Sequence, residues 1–258
     1  MAAGTRGDRR CAGDRGKQRR ARHRIGTGCP GPCKWGIQTA AIGSTKWRTV
    51  SFPAARISGG GVQLVRDGPR DVYAAFFGHT AGGAMDQRTD LLVSHDAGRT
   101  WIKRSDPCSP DVQNEKDIMA IAAAPGGVVA SLCYPRFASG GGYIKISRDG
   151  ARTFGPAKLV PDRFGAHTIA IASGRDVFLT APFDVGATAG PRLFASHDAG
   201  GSWSTVITDA PQGPHIAVAD GQLVGFPGPT VGYWLSGPTL WTTSDLGRHW
   251  ALNPAPGR

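Results

Sequence analysis

Four aspartates, Asp96, Asp149, Asp198 and Asp245, stand in one repeated local context. The segments read Ser94-His95-Asp96-Ala97-Gly98-Arg99-Thr100-Trp101, Ser147-Arg148-Asp149-Gly150-Ala151-Arg152-Thr153-Phe154, Ser196-His197-Asp198-Ala199-Gly200-Gly201-Ser202-Trp203 and Thr243-Ser244-Asp245-Leu246-Gly247-Arg248-His249-Trp250. In a tight turn an Asp carboxylate accepts hydrogen bonds from nearby backbone N–H groups, and Gly supplies a positive φ without steric cost. The Ser or Thr hydroxyl adds a further local bond. The closing aromatic (Trp101, Phe154, Trp203 or Trp250) is a large apolar anchor that can wedge between sheets. Turn formation therefore accounts for every neighbour of these carboxylates, and their chemistry is structural rather than catalytic.

The elements that carry these turns follow from the spacing. The motif returns about every fifty residues, a period that marks a repeat architecture whose units bury their apolar faces against one another. An apolar run precedes each copy, at 90–93, 143–146, 192–195 and 239–242. Two shorter runs lie further upstream in each unit: 62–65 and 72–77, 118–123 and 128–133, 169–172 and 177–180, and 216–219 and 223–226. Short β-branched and aromatic runs punctuated by Gly, Pro and Asp read as strands joined by turns. With a strand after each motif, such as 203–207, a unit has four strands, the content of a propeller blade. The spacing predicts an all-β propeller over residues 39–258, with blades at about 54–106, 107–160, 161–210 and 211–254. Residues 47–53 read as the outer strand of an earlier unit that lacks the motif Asp.

The motif resembles the Asp-box, or BNR repeat, Ser-x-Asp-x-Gly-x-Thr-Trp, found in sialidases and many other β-propellers. The first copy matches at every specified position, and the third has Ser202 in the Thr slot. The second has Ala151 in the Gly slot with Gly150 one place early, and the fourth has Thr243 for Ser and His249 for Thr. The resemblance implies a ring of six or seven blades, of which four are visible. An open ring would leave unpaired edges, so further blades upstream are the expectation.

In such a blade the connections between strands one and two and between strands three and four share one face, which the motifs occupy. The opposite face carries the loops between strands two and three, expected at 78–88, 134–142, 182–191 and 227–237. Loops of this length on a tight scaffold are a usual place for a binding site. They hold His79, Asp86, Arg88, Tyr134, Arg136, Asp184, Tyr233 and Trp234. Near the starts of the innermost strands stand Arg56, Glu115, Asp117, His167 and His215, placed to converge on the mouth of a central channel.

Sialidases clamp the substrate carboxylate with three arginines, attack with a Tyr activated by a Glu, and use an Asp as acid and base. The resemblance accordingly implies Asp86 as acid and base, Tyr233 as nucleophile, and Glu115, the one glutamate of the chain, as its activator. Arg56, Arg136 and Arg192 become the clamp, with His167 beside them in substrate binding. Arg56-Ile57-Ser58 departs from the family's Arg-Ile-Pro, and no motif marks the other positions. The plain alternative makes Arg136 and Arg192 surface arginines, Glu115 a loop charge and Tyr233 blade packing.

Composition bounds the remaining possibilities. The chain has 258 residues, 38 Gly, 19 Pro and 40% hydrophobic residues, enough for a turn-dense core. Its net charge of +11 gathers in residues 1–38, where ten Lys or Arg face two Asp. That stretch reads as a disordered extension, or as a start placed too far upstream. Nucleic-acid binding is not expected of the propeller. No apolar core of a signal peptide follows the basic start, and localisation is extracellular or periplasmic if an upstream signal is missing. The longest apolar stretch, 118–133, is broken by Pro125-Gly126-Gly127 and is too short for a membrane span. Cys108 and Cys133 fall in one unit, as a disulfide or with Cys133 as a small buried hydrophobe. Cys11, Cys29, Cys33 and His23 match no zinc spacing, so neither metal nor cofactor is expected. Three function classes stay open: a binding propeller for a glycan or protein, an exo-α-sialidase-type glycoside hydrolase, and an assembly scaffold. The scarcity of acidic residues favours binding.

Overall fold

The computed structural model describes residues 21–25, 37–41, 43–50, 58–79, 87–108, 116–135, 141–161, 168–181, 190–208, 222–237 and 239–253. All regular structure among them is β. A three-stranded sheet comes first, from β1 (Ala21–Ile25), β2 (Ile37–Ala41) and β3 (Arg48–Val50). Four antiparallel meanders of four strands follow. The first blade is β4 (Ser58–Asp67), β5 (Asp71–His79), β6 (Gln87–Ser94) and β7 (Ile102–Arg104). The second is β8 (Lys116–Ala124), β9 (Val128–Pro135), β10 (Tyr143–Ser147) and β11 (Lys158–Leu159). The third is β12 (Thr168–Ile171), β13 (Val177–Ala181), β14 (Arg192–Ser196) and β15 (Ser204–Thr208). The fourth is β16 (Gln222–Gly225), β17 (Gly232–Ser236), β18 (Thr239–Thr243) and β19 (Ala251–Asn253).

The four blades stand as a β-propeller. Their first strands are neighbours, β4 beside β8, β8 beside β12 and β12 beside β16. Strand periodicity explains how one blade serves two interfaces, since successive side chains point to opposite faces. Val72, Ala74 and Phe76 of β5 pack with Ile37 and Val50 of the first sheet. The alternate residues Tyr73 and Ala75 pack with Ile121, Val129 and Tyr143 of the second blade. Ala130, Leu132 and Ile144 then meet Ile169, Val177 and Leu179 of the third blade. Ala170, Phe178 and Leu193 in turn meet Val224 and Trp234 of the fourth. With both faces covered, β13 reads Val-Phe-Leu-Thr-Ala and is buried throughout, whereas the outer strand β15 is mostly exposed.

Two sequence expectations change, in β1 and in the fourth blade. β1 lies inside the basic stretch read as a disordered extension, and its pairing of Ile25 with Ile37 makes it a strand of the first sheet. Backbone pairing there outweighs composition. The expected outer strand at 47–53 is β3, held by β2 with Ile37 opposite Val50. In the fourth blade the order shifts by one strand. The run expected as strand two is the inner strand β16, and the expected loop 227–237 contains β17. Gly232-Tyr233-Trp234-Leu235-Ser236 hides from a strand search because Pro227-Gly228-Pro229 and Gly237-Pro238 flank it. Its pairing of Trp234 with Val224 and Trp241 buries the indole completely. The expected strand at 216–219 lies outside the described residues.

Cys108 and Cys133 form a disulfide with a Cα–Cα separation of 5.6 Å. It ties the segment after β7 to the second strand of the next blade, inside the cluster between the two blades. Tyr143 donates its hydroxyl to the Cys108 carbonyl at 2.9 Å, fixing the same segment from the other side.

Candidate functional site

The motif turns close one end of the blades, and their hydrogen bonds repeat. Ser94 is buried and donates its hydroxyl to Asp96 Oδ1 at 2.8 Å, while Ser94 Oγ accepts the Gly98 amide at 2.8 Å. Asp96 Oδ1 accepts the Arg99 and Thr100 amides at 2.9 and 2.8 Å, and Oδ2 accepts the Thr100 hydroxyl at 2.6 Å. In the second blade Ser147 and Asp149 do the same with the Ala151, Arg152 and Thr153 amides and the Thr153 hydroxyl. Ser196 and Asp198 do so with Gly200 and Ser202. In the fourth blade Thr243 replaces Ser, and the His249 ring takes the hydroxyl's place, Nδ1 lying 2.5 Å from Asp245 Oδ2. The departures noted in sequence are thus absorbed without losing the carboxylate's role.

Each turn also needs two consecutive residues at positive φ: Ala97 and Gly98, Gly150 and Ala151, Ala199 and Gly200, Leu246 and Gly247. The sequence pattern anticipates the glycine but not the residue beside it. Ala151 fills the glycine slot of the second turn at φ 63°, with its methyl buried between blades. In the third turn a Cβ on Gly200 would lie 2.5 Å from Ile144 Cδ1 of the preceding blade. The closing aromatics reach backward in the same sense. Trp101 packs with Ile37 of the first sheet, Phe154 with the cluster between blades one and two, and Trp250 with that between blades three and four. Trp203 Nε1 donates to the Leu159 carbonyl of the second blade at 3.1 Å.

The first-to-second-strand turns share this end. Amides of the motif turns donate to their carbonyls: Ala97 to Arg70, Gly150 to Gly127 and Ala199 to Arg175. In the fourth blade Leu246 donates to Thr230, which confirms the shifted strand order there. Two His–Asp contacts fasten the same turns, His95 Nδ1 to Asp71 Oδ1 at 2.6 Å and His197 Nδ1 to Asp176 Oδ1 at 2.8 Å. Sequence reading missed them. The signal was present, since both histidines occupy the second slot of the motif, Asp71 begins β5 and Asp176 stands just before β13.

These bonds set the electrostatics. Burial pushes Asp96 up, but the Thr100, Ser94 and Arg99 donors outweigh it and hold the carboxyl down at about 2. Asp149, Asp198 and Asp245 are lowered further, chiefly by Thr153, by the Ser202 amide and by the His249 amide respectively. A carboxyl lowered on folding stabilises the fold above its unfolded pKa, 3.8 here, and that stabilisation is lost as pH falls through the folded value. Tyr73 runs the other way, pushed up to about 12 by burial and by Asp71 and Asp67. It favours the fold below pH 10 and ceases to as pH rises toward 12. Asp67, raised chiefly by burial, opposes the four turn carboxylates. We expect stability to fall at acid pH, most of the loss coming below about pH 4. Urea midpoints against pH check this; a midpoint insensitive to acid down to pH 2 would contradict the four-carboxylate account.

The other end gathers the starts of the inner strands. β4, β8, β12 and β16 begin there at Ser58, Lys116, Thr168 and Gln222. Arg56, Glu115 and His167 stand one or two residues before three of these strands in sequence and lie, with Asp86 and Arg136, outside the described residues, as do Asp184 and His215. Arg192 is the first residue of β14, with its guanidinium 5.4 Å from the Phe194 ring centroid. Tyr233 is not brought to this end. It is the second residue of β17, next to the turn-bearing loop, and its hydroxyl lies against Gly225, where a Cβ would sit 2.6 Å away. Trp234 is core. Among the described residues no group of three His, Cys, Asp or Glu gathers to hold a metal ion. No described helix is long and apolar enough to cross a membrane.

No family model matches the chain, and no curated protein matches it. Solved structures do. Trypanosoma rangeli sialidase in complex with the inhibitor DANA is 14% identical over 90% of this chain and 46% of its own, with a TM-score of 0.54. Penicillium chrysogenum α-L-arabinanase complexed with arabinobiose is 13% identical over 91% of this chain and 78% of its own, at 0.53. A Dyadobacter fermentans protein of unknown function is 13% identical over 87% and 68%, at 0.52. The chain spans about half the length of the sialidase. At such identities the likeness is one of fold, a sialidase-like β-propeller.

Proposed function

We propose that this chain is an Asp-box propeller of the sialidase-like superfamily that binds a carbohydrate at the blade end opposite the motif turns. The observation that carries this reading is the repetition of one carboxylate-centred turn in all four blades, which commits that end to holding strands in register. The opposite end is left with the long connections 80–86, 136–142 and 182–191 and the starts of adjacent inner strands. Sugar is the favoured ligand class because two propellers of similar fold hold DANA, as a sialidase inhibitor, and arabinobiose.

Hydrolysis is the second reading, favoured by one observation: the adjacent strands β4, β8 and β12 begin just after Arg56, Glu115 and His167 in sequence. In it Glu115 and Asp86 supply the paired carboxyl groups and Arg56, Arg136 and Arg192 hold an acidic sugar. Tyr233 has no place in that chemistry from its position on β17.

One experiment separates the readings. The folded chain is assayed for turnover of a fluorogenic α-sialoside and of an arabinan, and in parallel for retention on immobilised glycans. Retention without turnover is the expected result. Turnover abolished by Glu115→Ala would establish the hydrolase, and a folded chain that neither turns over nor binds any glycan would sink both.

A further inference from the structure

The seam between the third and fourth blades is apolar over most of its height, where Ala170, Phe178, Leu193, Val224 and Trp234 meet. At the end away from the motif turns it becomes polar. Thr168 and Thr180 face each other across β12 and β13 with their hydroxyls 2.8 Å apart. Both share a face with Ala170 and Phe178, because strand residues two apart point the same way. The fourth blade answers with Gln222, the first residue of β16, and Ser236, the last of β17, which are direct cross-strand partners. These two share their face with Val224 and Trp234.

Gln222 is 7% exposed and Ser236 and Thr180 are fully buried. The Gln222 amide donates from Nε2 to the Ala181 carbonyl of the third blade at 3.3 Å, which fixes the orientation of its side chain across the seam. Its Oε1 and the Ser236 Oγ are buried and have no hydrogen-bond partner among the described residues. An unmet buried polar atom opposes folding, because it has given up its bonds to water without replacing them. Two of them on cross-strand partners, where the apolar residues of the seam give way, are a local conflict of the kind found at functional sites.

We propose that this polar end of the seam, Gln222 and Ser236 with the Thr168–Thr180 pair, reads a hydroxyl group of the bound carbohydrate. The inference rests on the carbohydrate reading above and names the residues that read the sugar. A hydroxyl fits because it both donates and accepts: it gives its proton to Gln222 Oε1 and takes one from Ser236 Oγ. A carboxylate or phosphate has no proton for the Gln222 acceptor, and a cation would find no charge here to meet it. The half-buried Thr168 forms the outward side of the cluster. In the Thr pair one hydroxyl donates to the other, leaving one proton for a second ligand oxygen.

The test uses the full chain with arabinobiose and DANA as probes, binding read by calorimetry and folding by thermal melting. Ser236→Ala removes an oxygen that no described residue bonds, so its melting temperature is expected to hold or rise. Probe affinity is expected to fall at least tenfold. Gln222→Met, similar in shape but without the acceptor, should lose affinity to a comparable extent, with some loss of stability from the Ala181 bond. Wild-type binding that survives both substitutions unchanged would overturn the proposal while leaving the carbohydrate reading intact. A Ser236→Ala chain that melts markedly lower would also overturn it, by showing the hydroxyl to be structural. If the wild type binds neither probe nor any other glycan, the carbohydrate reading falls and this inference with it.

Discussion

Replacing Cys108 and Cys133 together by alanine is expected to lower stability by about 3–4 kcal/mol. The size follows from the loop that the bond closes in the unfolded chain, with a sequence separation of 25 residues. Its position adds a reason for the loss to be felt. The bond fastens the segment between the first and second blades to β9, and both sulfurs are buried in the cluster that joins those blades. Because Tyr143 anchors the same segment through the Cys108 carbonyl, the altered chain should still fold, with a looser joint. Urea unfolding with and without reductant measures the effect. An unchanged midpoint in the double variant would mean that the bond contributes nothing. A bond of this kind persists in oxidising surroundings, so the same measurement bears on where the chain can fold.

Gly247→Ala is expected to cost about 2–4 kcal/mol, from two sources of similar size. The first is backbone: Gly247 sits at φ 75°, where a Cβ crowds the following carbonyl. The second is overpacking, since the added methyl would run into the Phe178 ring. Phe178 cannot yield. It is fully buried, stacked on Phe226 at 4.4 Å between centroids and set edge-on to Trp250 at 6.2 Å. Gly68→Ala is the internal control, because Gly68 also has a positive φ, 64°, but open space where the Cβ would go. It should show the backbone part alone, about 1 kcal/mol. Equal losses at the two positions would refute the proposed contact between the fourth motif turn and the third blade.

These contacts mark how far the sequence could be read. The repeat was legible because the motif residues act on their own neighbours: Asp96, Ser94 and Thr100 meet within one turn, so the pattern survives as a string. Even the misfits could be placed, and Ala151 holds the glycine conformation where the motif requires it. The fourth blade was read one strand out of step, because β17 is short and bounded by Pro and Gly. That error put Tyr233 in a loop at the wrong end of the blade. Of the site residues expected at the channel mouth, the position of Arg192 on β14 and that of Tyr233 on β17 are now placed; Asp86, Glu115, Arg56, Arg136 and His167 remain expectations.

By itself the sequence determined the class of fold, the end of each blade given to structural turns, and the strands that the motif punctuates. All three depend on contacts between residues a few positions apart. Tertiary structure alone decided which faces meet. Gln222 and Thr180 lie 42 positions apart in sequence and share a seam because alternating strand faces stack blade on blade. The same stacking turned Gly200 and Gly247 from turn residues into points of close approach, and it placed the polar end of the third seam opposite the motif turns. No pattern within one repeat carries that information, because each blade completes its surface only with its neighbour.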